Sequence, residues 1–384
     1  FVADGRRMFI NVGTLMKTDR PNEVIGVIAH EAGHIAGGHL ARTREQLAKT
    51  QTAAIIAMLL GAAAVAAAAA AGSGGVAGQA GGAAALGGRQ IAERSFLAYR
   101  RSEERNADLA AVNYLNATGQ SGKGMLDVFQ QFSDQSVFTS RFTDPYVVSH
   151  PMPRDRIATL ENVVKSSPYY ATADDPALQA RHNLVKAKLY GFLESPQAVF
   201  RRYPPSDDSL PARYARAIAR FRTADIRAAI KDIDGLIKSQ PRNPYFQELK
   251  GQALMESGRP RDAIAPLQLA VKLAPDAGLI RILLGQAQVA SNDNRMLDAA
   301  IANLRNGLKS EPEAANGFRQ LAIAYGRRNQ TAEASLASAR AYAIEGQMDL
   351  ARQQAARAKK LFKHGSPGWL QADDILSIRT NKRS

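Results

Sequence analysis

The 384-residue chain has no cysteine. Disulfide frameworks and thiolate metal sites are thereby excluded, and any metal must be held by His, Asp or Glu. The absence fits cytoplasm and periplasm equally. Aromatic residues make up only 7% of the sequence, with a single tryptophan, and they form no patch interleaved with basic residues. With no recognition module either, nucleic acid is not an expected partner. Negative charge is also in deficit: 50 Lys and Arg stand against 35 Asp and Glu, a formal net charge of +15. That balance favours anionic surfaces, either membrane headgroups or acidic proteins. No secretory leader can be read at the N-terminus, which lacks the basic and apolar segments of one. What is present, 45% hydrophobic residues in a chain of this length, argues against disorder and suffices for two domains with cores of their own.

Charge is missing altogether from residues 50–88. The run begins Ala53-Ala54-Ile55-Ile56-Ala57-Met58-Leu59-Leu60 and decays into alanine and then into glycine and alanine. About 20 apolar residues can span a bilayer, and residues 53–71 are long enough. Alanine adds little insertion energy, however, and the glycine-rich second half makes a poor returning helix. The expectation is a mobile helix and loop that touches a membrane or covers a neighbouring cleft, not a membrane span.

His30-Glu31-Ala32-Gly33-His34 is an H-E-x-x-H pattern. At about 100° per residue, His30 and His34 share a helix face one turn apart and can reach a single tetrahedral metal. Glu31 sits beside them, off the metal. A carboxylate there can take a proton from water attacking a carbonyl and deliver it to the leaving amine, which is the chemistry of peptide hydrolysis. Pro21-Asn22-Glu23 opens the helix, and Val24, Ile25, Val27 and Ile28 supply the apolar stripe that buries it.

A catalytic site of this kind needs a third protein ligand. The metzincin pattern fails: Gly37 fits it, but the final histidine would fall at Leu40, and His39 comes one residue early. If the helix runs on past Gly37 and Gly38, His39 is turned about 140° from the metal face, which makes it a surface or supporting residue. Arg101-Ser102-Glu103-Glu104-Arg105-Asn106-Ala107-Asp108 is the better source. Glu104 and Asp108, four apart, share a helix face, so Glu104 can ligate while Asp108 fixes the tautomer of a ligand imidazole. This is a gluzincin arrangement, with Glu103 as the rival ligand.

Together, Asn22-Glu23 before the H-E-x-x-H, the segment 101–108, and His150-Pro151 followed by Arg156 resemble the HtpX and BepA group of zinc peptidases, family forty-eight of the metallopeptidases. The resemblance implies an α+β gluzincin-type domain, a small sheet beside the H-E-x-x-H helix, within a mainly α protein. It implies one zinc per chain on His30, His34 and Glu104, with Glu31 as general base and Asp108 supporting the catalytic set. Residues 1–16, with Phe9-Ile10-Asn11-Val12-Gly13-Thr14-Leu15, look like the strand before the catalytic helix, where an extended substrate can pair. Relatives carry a signal peptide and further residues ahead of that strand, so an N-terminally truncated sequence is expected, from a precursor with a signal peptide. The implied location is the periplasm of a Gram-negative bacterium, with peripheral membrane contact. His150 lies in a loop stiffened by Pro151 and Pro153 and anchored by Arg156. Its imidazole can take the fourth zinc position and gate the peptidase, or hydrogen-bond the developing oxyanion. The gate is the expected role.

Beyond a composition break at residues 166–176, a helical stretch and a proline-rich loop at 203–208, helical repeats begin. In residues 243–275, Gly251, Gly258, Ala263, Ala270 and Pro275 stand at tetratricopeptide (TPR) spacings. A preceding unit ends at Pro241, 34 residues before Pro275, with Ala229 and Leu236 in matching places. A third ends at Pro312 after an insertion around Ser291-Asn292-Asp293-Asn294, and a fourth follows Gly346, Ala351 and Ala358 to Lys363. The expected organisation is a zinc peptidase domain over 1–170, a linker with a helix over 171–206, TPR-like repeats over 207–365 and a tail over 366–384. Such repeats stack into an α-α solenoid whose concave face holds protein segments. The expected function is a zinc metalloendopeptidase acting on misfolded or unassembled envelope proteins that the solenoid delivers. The alternative is a chaperone-like scaffold with a largely latent zinc site, and an intact Glu31 favours the enzyme.

Overall fold

The computed structural model describes residues 2–3, 7–70, 74–138, 150 and 154–378. They are mainly helical. The contacts divide the chain into two units, Phe1–Lys186 and Ala187–Ser384, the division falling within the helix Pro176–Leu193.

In the first unit, strands β1 (Val2–Ala3) and β2 (Arg7–Met8) pair antiparallel, Val2 against Met8 and Ala3 against Arg7. The strand expected within residues 1–16 is confined to these two short segments among the described residues, and it does not extend through residues 9–15. The Asn11 side chain accepts a hydrogen bond from the Gly13 amide at 2.7 Å and opens helix α1 (Val12–Lys17). A local cap of this kind satisfies backbone donors that a strand would leave unpaired, and it overrides the β-branched Val12 and Thr14. The expected small sheet is therefore only a two-stranded ribbon among the described residues.

Helix α2 (Pro21–Ala36) starts with proline at a position where no backbone N–H is needed. Its Val27 and Ala29 join Met125, Phe129 and Phe132 of α5 (Lys123–Phe138), and Ile157, Leu160 and Val164 of α6 (Arg154–Lys165), in one core. Two glycines set how closely the backbones approach. A Cβ on Gly26 would lie 2.5 Å from the Met125 Cβ, and one on Gly33, inside the H-E-x-x-H, would lie 2.8 Å from the Ala107 carbonyl oxygen. The second contact presses α2 against α4 (Gly74–Ala117) where the 101–108 segment runs.

Between them α2 ends: Gly37 is its C-cap and Gly38 takes φ +62°, a left-handed turn that suits glycine. The chain restarts as α3 (His39–Ala70), which packs against α4. The continuous helix expected through Gly37 and Gly38 is thus broken. The glycine-rich half of the charge-free run is helical from Gly74 onward. Each glycine there disfavours helix by about 1 kcal/mol, and the pairing with α3 together with the anchored residues 94–117 carries the helix through. Residues 71–73 lie outside the described residues. Among the described residues no helix is long and apolar enough to cross a membrane.

The second unit is built from helical pairs: Leu210–Arg222 with Ile226–Ser239, Pro244–Glu256 with Pro260–Leu273, Gly278–Ala290 with Leu297–Ser310, and Thr331–Ile344 with Met348–Leu361. Ala229, Leu236, Ala263, Ala270, Ala300, Ala351 and Ala358 are fully buried. Gly258 and Gly346 make the tight turns at φ +76° and +74°. The insertion at 291–294 is absorbed by Asn292 at φ +57° and a short 3-10 turn, Asn294–Met296. Two elements escape the four-unit reading. Helix Ala315–Arg327 intervenes before the last pair. The expected tail holds helix Pro367–Ser377, capped by Ser366, whose Ala372 and Ile375 pack on Ala351, Ala355 and Ala358.

The repeat spacing has a steric cause. A Cβ on Gly251 would lie 2.3 Å from Leu267 Cγ on the paired helix, so the two helices touch only because nothing projects there. Gly251→Val is expected to destabilise the second unit by about 3 kcal/mol, lowering the urea midpoint of its transition. An unchanged midpoint would contradict this packing.

Candidate metal centre

The periodicity of α2 stacks His30 and His34 on one face, their Nε2 atoms 3.0 Å apart. His30 has no solvent exposure. From the facing helix α4, Glu104 brings Oε2 within 3.5 Å of His30 Nε2 and Oε1 within 3.5 Å of His34 Nε2. One turn further along α4, Asp108 Oδ1 lies 2.9 Å from His30 Nδ1. That contact orients the ring with Nε2 toward Glu104; with a metal bound at Nε2, the remaining proton would stay on Nδ1 facing Asp108.

Arg156 of α6 closes the back of the cluster. Its Nε and Nη2 donate to the two Asp108 oxygens at 2.7 and 2.8 Å, and its Nη1 lies 2.9 Å from Glu104 Oε2. Burial alone would lower the His30 pKa, but Asp108 and Glu104 outweigh it and push it up to about 9. Burial likewise raises Glu104, yet hydrogen bonds from His150, His30 and His34 hold its carboxyl well below the usual carboxylate range. Asp108 is depressed against burial by Arg156 and His30. Glu104 and Asp108 thus stay ionised although buried, so Glu104 is available as an anionic ligand once the imidazoles give up their protons.

His150 sits in this cluster. Its Nδ1 is 3.1 Å from each Glu104 oxygen and its Nε2 is 3.4 Å from Glu31 Oε1. Burial lowers its pKa, so the neutral, ligand-capable imidazole is favoured. Pro151 and Pro153, expected to stiffen its loop, lie outside the described residues. Donor atoms of His30, His34, Glu104 and His150 all fall within 4.8 Å of one another. Glu31 is 1% exposed and is not one of that group. Two imidazole nitrogens bound to one tetrahedral ion at about 2.0–2.1 Å stand roughly 3.3 Å apart. The observed separations of 3.0 and 3.5 Å bracket that value, so the donor set fits a small cation of tetrahedral preference.

His39 is neither turned away nor at the surface. Because Gly38 reverses the chain, the buried His39 ring lies with Nδ1 2.8 Å from His34 Nδ1 and Nε2 3.1 Å from Glu103 Oε2. Arg42 donates to the same Glu103 oxygen at 3.1 Å. Glu103, the rival ligand, is thereby engaged away from the cluster, and His34 gains through His39 the support that His30 has in Asp108. Gly37 leaves room for it: a Cβ there would lie 2.1 Å from His39 Nε2. The two consecutive glycines are the sequence signal for this arrangement, and Arg42 has none beyond its place one turn after His39. His39→Ala is expected to weaken metal binding by about 10- to 100-fold, read by competition with a chromophoric chelator. Unchanged affinity would reduce His39 to packing.

Residues 1–164 match the family model described as Peptidase family M48. The chain is similar to the beta-barrel assembly-enhancing protease of Yersinia pestis, 24% identical over 371 residues, covering 95% of this chain and 73% of that protein. The beta-barrel assembly-enhancing protease of Escherichia coli strain K12 is 23% identical over 384 residues, with the same coverage of 95% and 73%. Among solved structures, the chain is similar to YrrB, a TPR protein with an unusual peptide-binding site, at 20% identity and TM-score 0.37, covering 47% of this chain and 92% of that one. The match to MamA is 21% identical with TM-score 0.34, covering 42% and 90%.

Proposed function

We propose, from the premise that residues 1–164 are a metallopeptidase domain of family M48, that the protein is a zinc-dependent endopeptidase of envelope-protein quality control. His30, His34 and Glu104 would hold one zinc per chain. The observation that carries this reading is the convergence of those three donors beside a buried carboxylate, Glu31, that is not one of them. Bound zinc supplies a Lewis acid that polarises the scissile carbonyl and acidifies water. Glu31 takes the proton of the attacking water and gives it to the leaving amine. Asp108, itself held by Arg156, keeps His30 in the ligating tautomer. Cleavage of unfolded casein by the zinc-loaded chain, lost on chelation, tests the proposal.

The clients would be misfolded or unassembled envelope proteins, since the curated relatives are named for β-barrel assembly. The periplasm is the corresponding location. The domain order carries over as proposed: peptidase over 1–170 with the 50–88 insertion, linker 171–206, repeats 207–365. The repeats would deliver clients to a centre with weak sequence preference of its own. Ile55, Ile56, Met58 and Leu59 of α3 are exposed, which supports peripheral membrane contact by the insertion.

The latent-scaffold reading has one observation in its favour: His150 stands in the ligand group and can fill the fourth position. As a gate, His150 holds the peptidase off until a client displaces it. His150→Ala is then expected to keep its zinc and to cleave casein, and itself, at an equal or higher rate at matched zinc occupancy. A fall of about two or more orders of magnitude would instead assign His150 to oxyanion stabilisation.

A further inference from the structure

The second unit contains a cavity of about 490 Å³ that the peptidase chemistry does not use. Its floor is apolar, formed by the buried Leu308, Phe318, Leu321 and Leu336. Its rim is basic, with Arg305, Lys309 and Arg340 against a single carboxylate, Glu333. Several other basic side chains in this unit close on acids: Lys188 on Glu248, Lys250 on Asp234, Arg328 on Asp298, Lys359 on Asp373. Among the described residues, none of the three rim cations has a carboxylate partner. The Arg340 guanidinium lies over the Phe318 ring, 5.2 Å from its centroid, and is thus held over the floor with donors left to offer.

We propose that this cavity binds an acidic segment of an unfolded protein, one large apolar side chain seated on the floor and neighbouring Asp or Glu carboxylates on the rim. Cavities of a few hundred Å³ with an apolar lining and a few placed polar groups are the usual form of a binding site. A planar guanidinium pairs with carboxylates in two-point geometry. In an extended segment, side chains two apart lie on the same side about 7 Å from one another, a spacing that lets an anchor and its acidic neighbours enter together. The apolar floor calls for a large apolar side chain, which a phosphate backbone does not carry. The inference rests on the reading that the repeats engage protein segments, and it names the chemistry they select.

The test is fluorescence anisotropy with the full chain and three labelled, acetylated and amidated peptides, in which one phenylalanine is flanked by Asp, by Ser or by Lys. The Asp peptide is expected to bind about tenfold or more tighter than the Lys peptide, and the preference to shrink with salt. Arg340→Glu should remove it. The double variant Arg305→Gln/Lys309→Gln, which leaves the Phe318 contact intact, should weaken it, with thermal melts showing both variants folded. Equal binding of all three peptides would overturn the proposal while leaving protein capture by the repeats standing; binding of none would remove both. Arg340→Glu retaining the Asp preference would also overturn it. So would a Ser-flanked peptide whose only carboxylate is a free C-terminus matching the Asp peptide, or anionic vesicles competing as well as that peptide does.

Discussion

Glu31→Gln is expected to lower casein cleavage by about 10³-fold while the protein still carries about one zinc per chain. General-base catalysis contributes roughly 10²- to 10⁴-fold, and glutamine keeps the size of the side chain while removing its capacity to take a proton. The Glu31 carboxylate is buried and faces His150 at 3.4 Å, outside the converging donors, so the metal should not respond to the change. Zinc content by atomic absorption, measured beside the cleavage rate, separates the two roles. A variant that loses its zinc together with its activity would make Glu31 a ligand or a structural support, and a variant that cleaves at the parental rate would leave the general base unidentified.

Glu104→Gln should act the other way round, on the metal first. Glu104 supplies the one negative charge in the proposed ligand set, and its oxygens stand equally near His30 and His34. An amide in its place removes that charge and turns an NH2 group toward one imidazole or the other. Residues that only support ligands cost about 10- to 100-fold in metal affinity, so loss of the ligand itself should exceed about 100-fold and abolish cleavage at ordinary zinc concentrations. Glu103→Gln, acting on His34 only through His39, should cost far less. Chelator competition on the variants should rank Glu104 first, His39 second and Glu103 last. Equal losses at Glu103 and Glu104 would mean that the wrong neighbour has been taken for the ligand.

The parts of this site that were legible in the sequence follow from the helix period alone. His30 with His34, and Glu104 with Asp108, are each four apart, and any helix brings such a pair to one face. The partnership of the two helices was a matter of chemistry, the need for a third ligand, and Gly33 against Ala107 is the contact that realises it. His39, expected at the surface or in support, takes the supporting place; its direction depends on a single backbone torsion at Gly38, which no side-chain pattern reports. The strand that the resemblance implies within residues 1–16 is formed only at Val2–Ala3 and Arg7–Met8 among the described residues, because one capping hydrogen bond accepted by Asn11 decides for helix from Val12 onward. In the repeats, small residues announced themselves because sterics demand them where helices touch, as at Gly251. Helix Ala315–Arg327 and the closing helix Pro367–Ser377 fell between or beyond those marker positions.

The most direct measurement of the central claim is a zinc titration of the metal-free chain with casein cleavage as the readout. Zinc should restore cleavage in proportion to metal added and stop at about one equivalent per chain, a chelator should reverse it, and His30→Ala should show no such saturating restoration. Full-rate cleavage by the metal-free chain, or one tightly held zinc on His30, His34 and Glu104 with no peptide hydrolysis at any occupancy even in His150→Ala, would contradict the account.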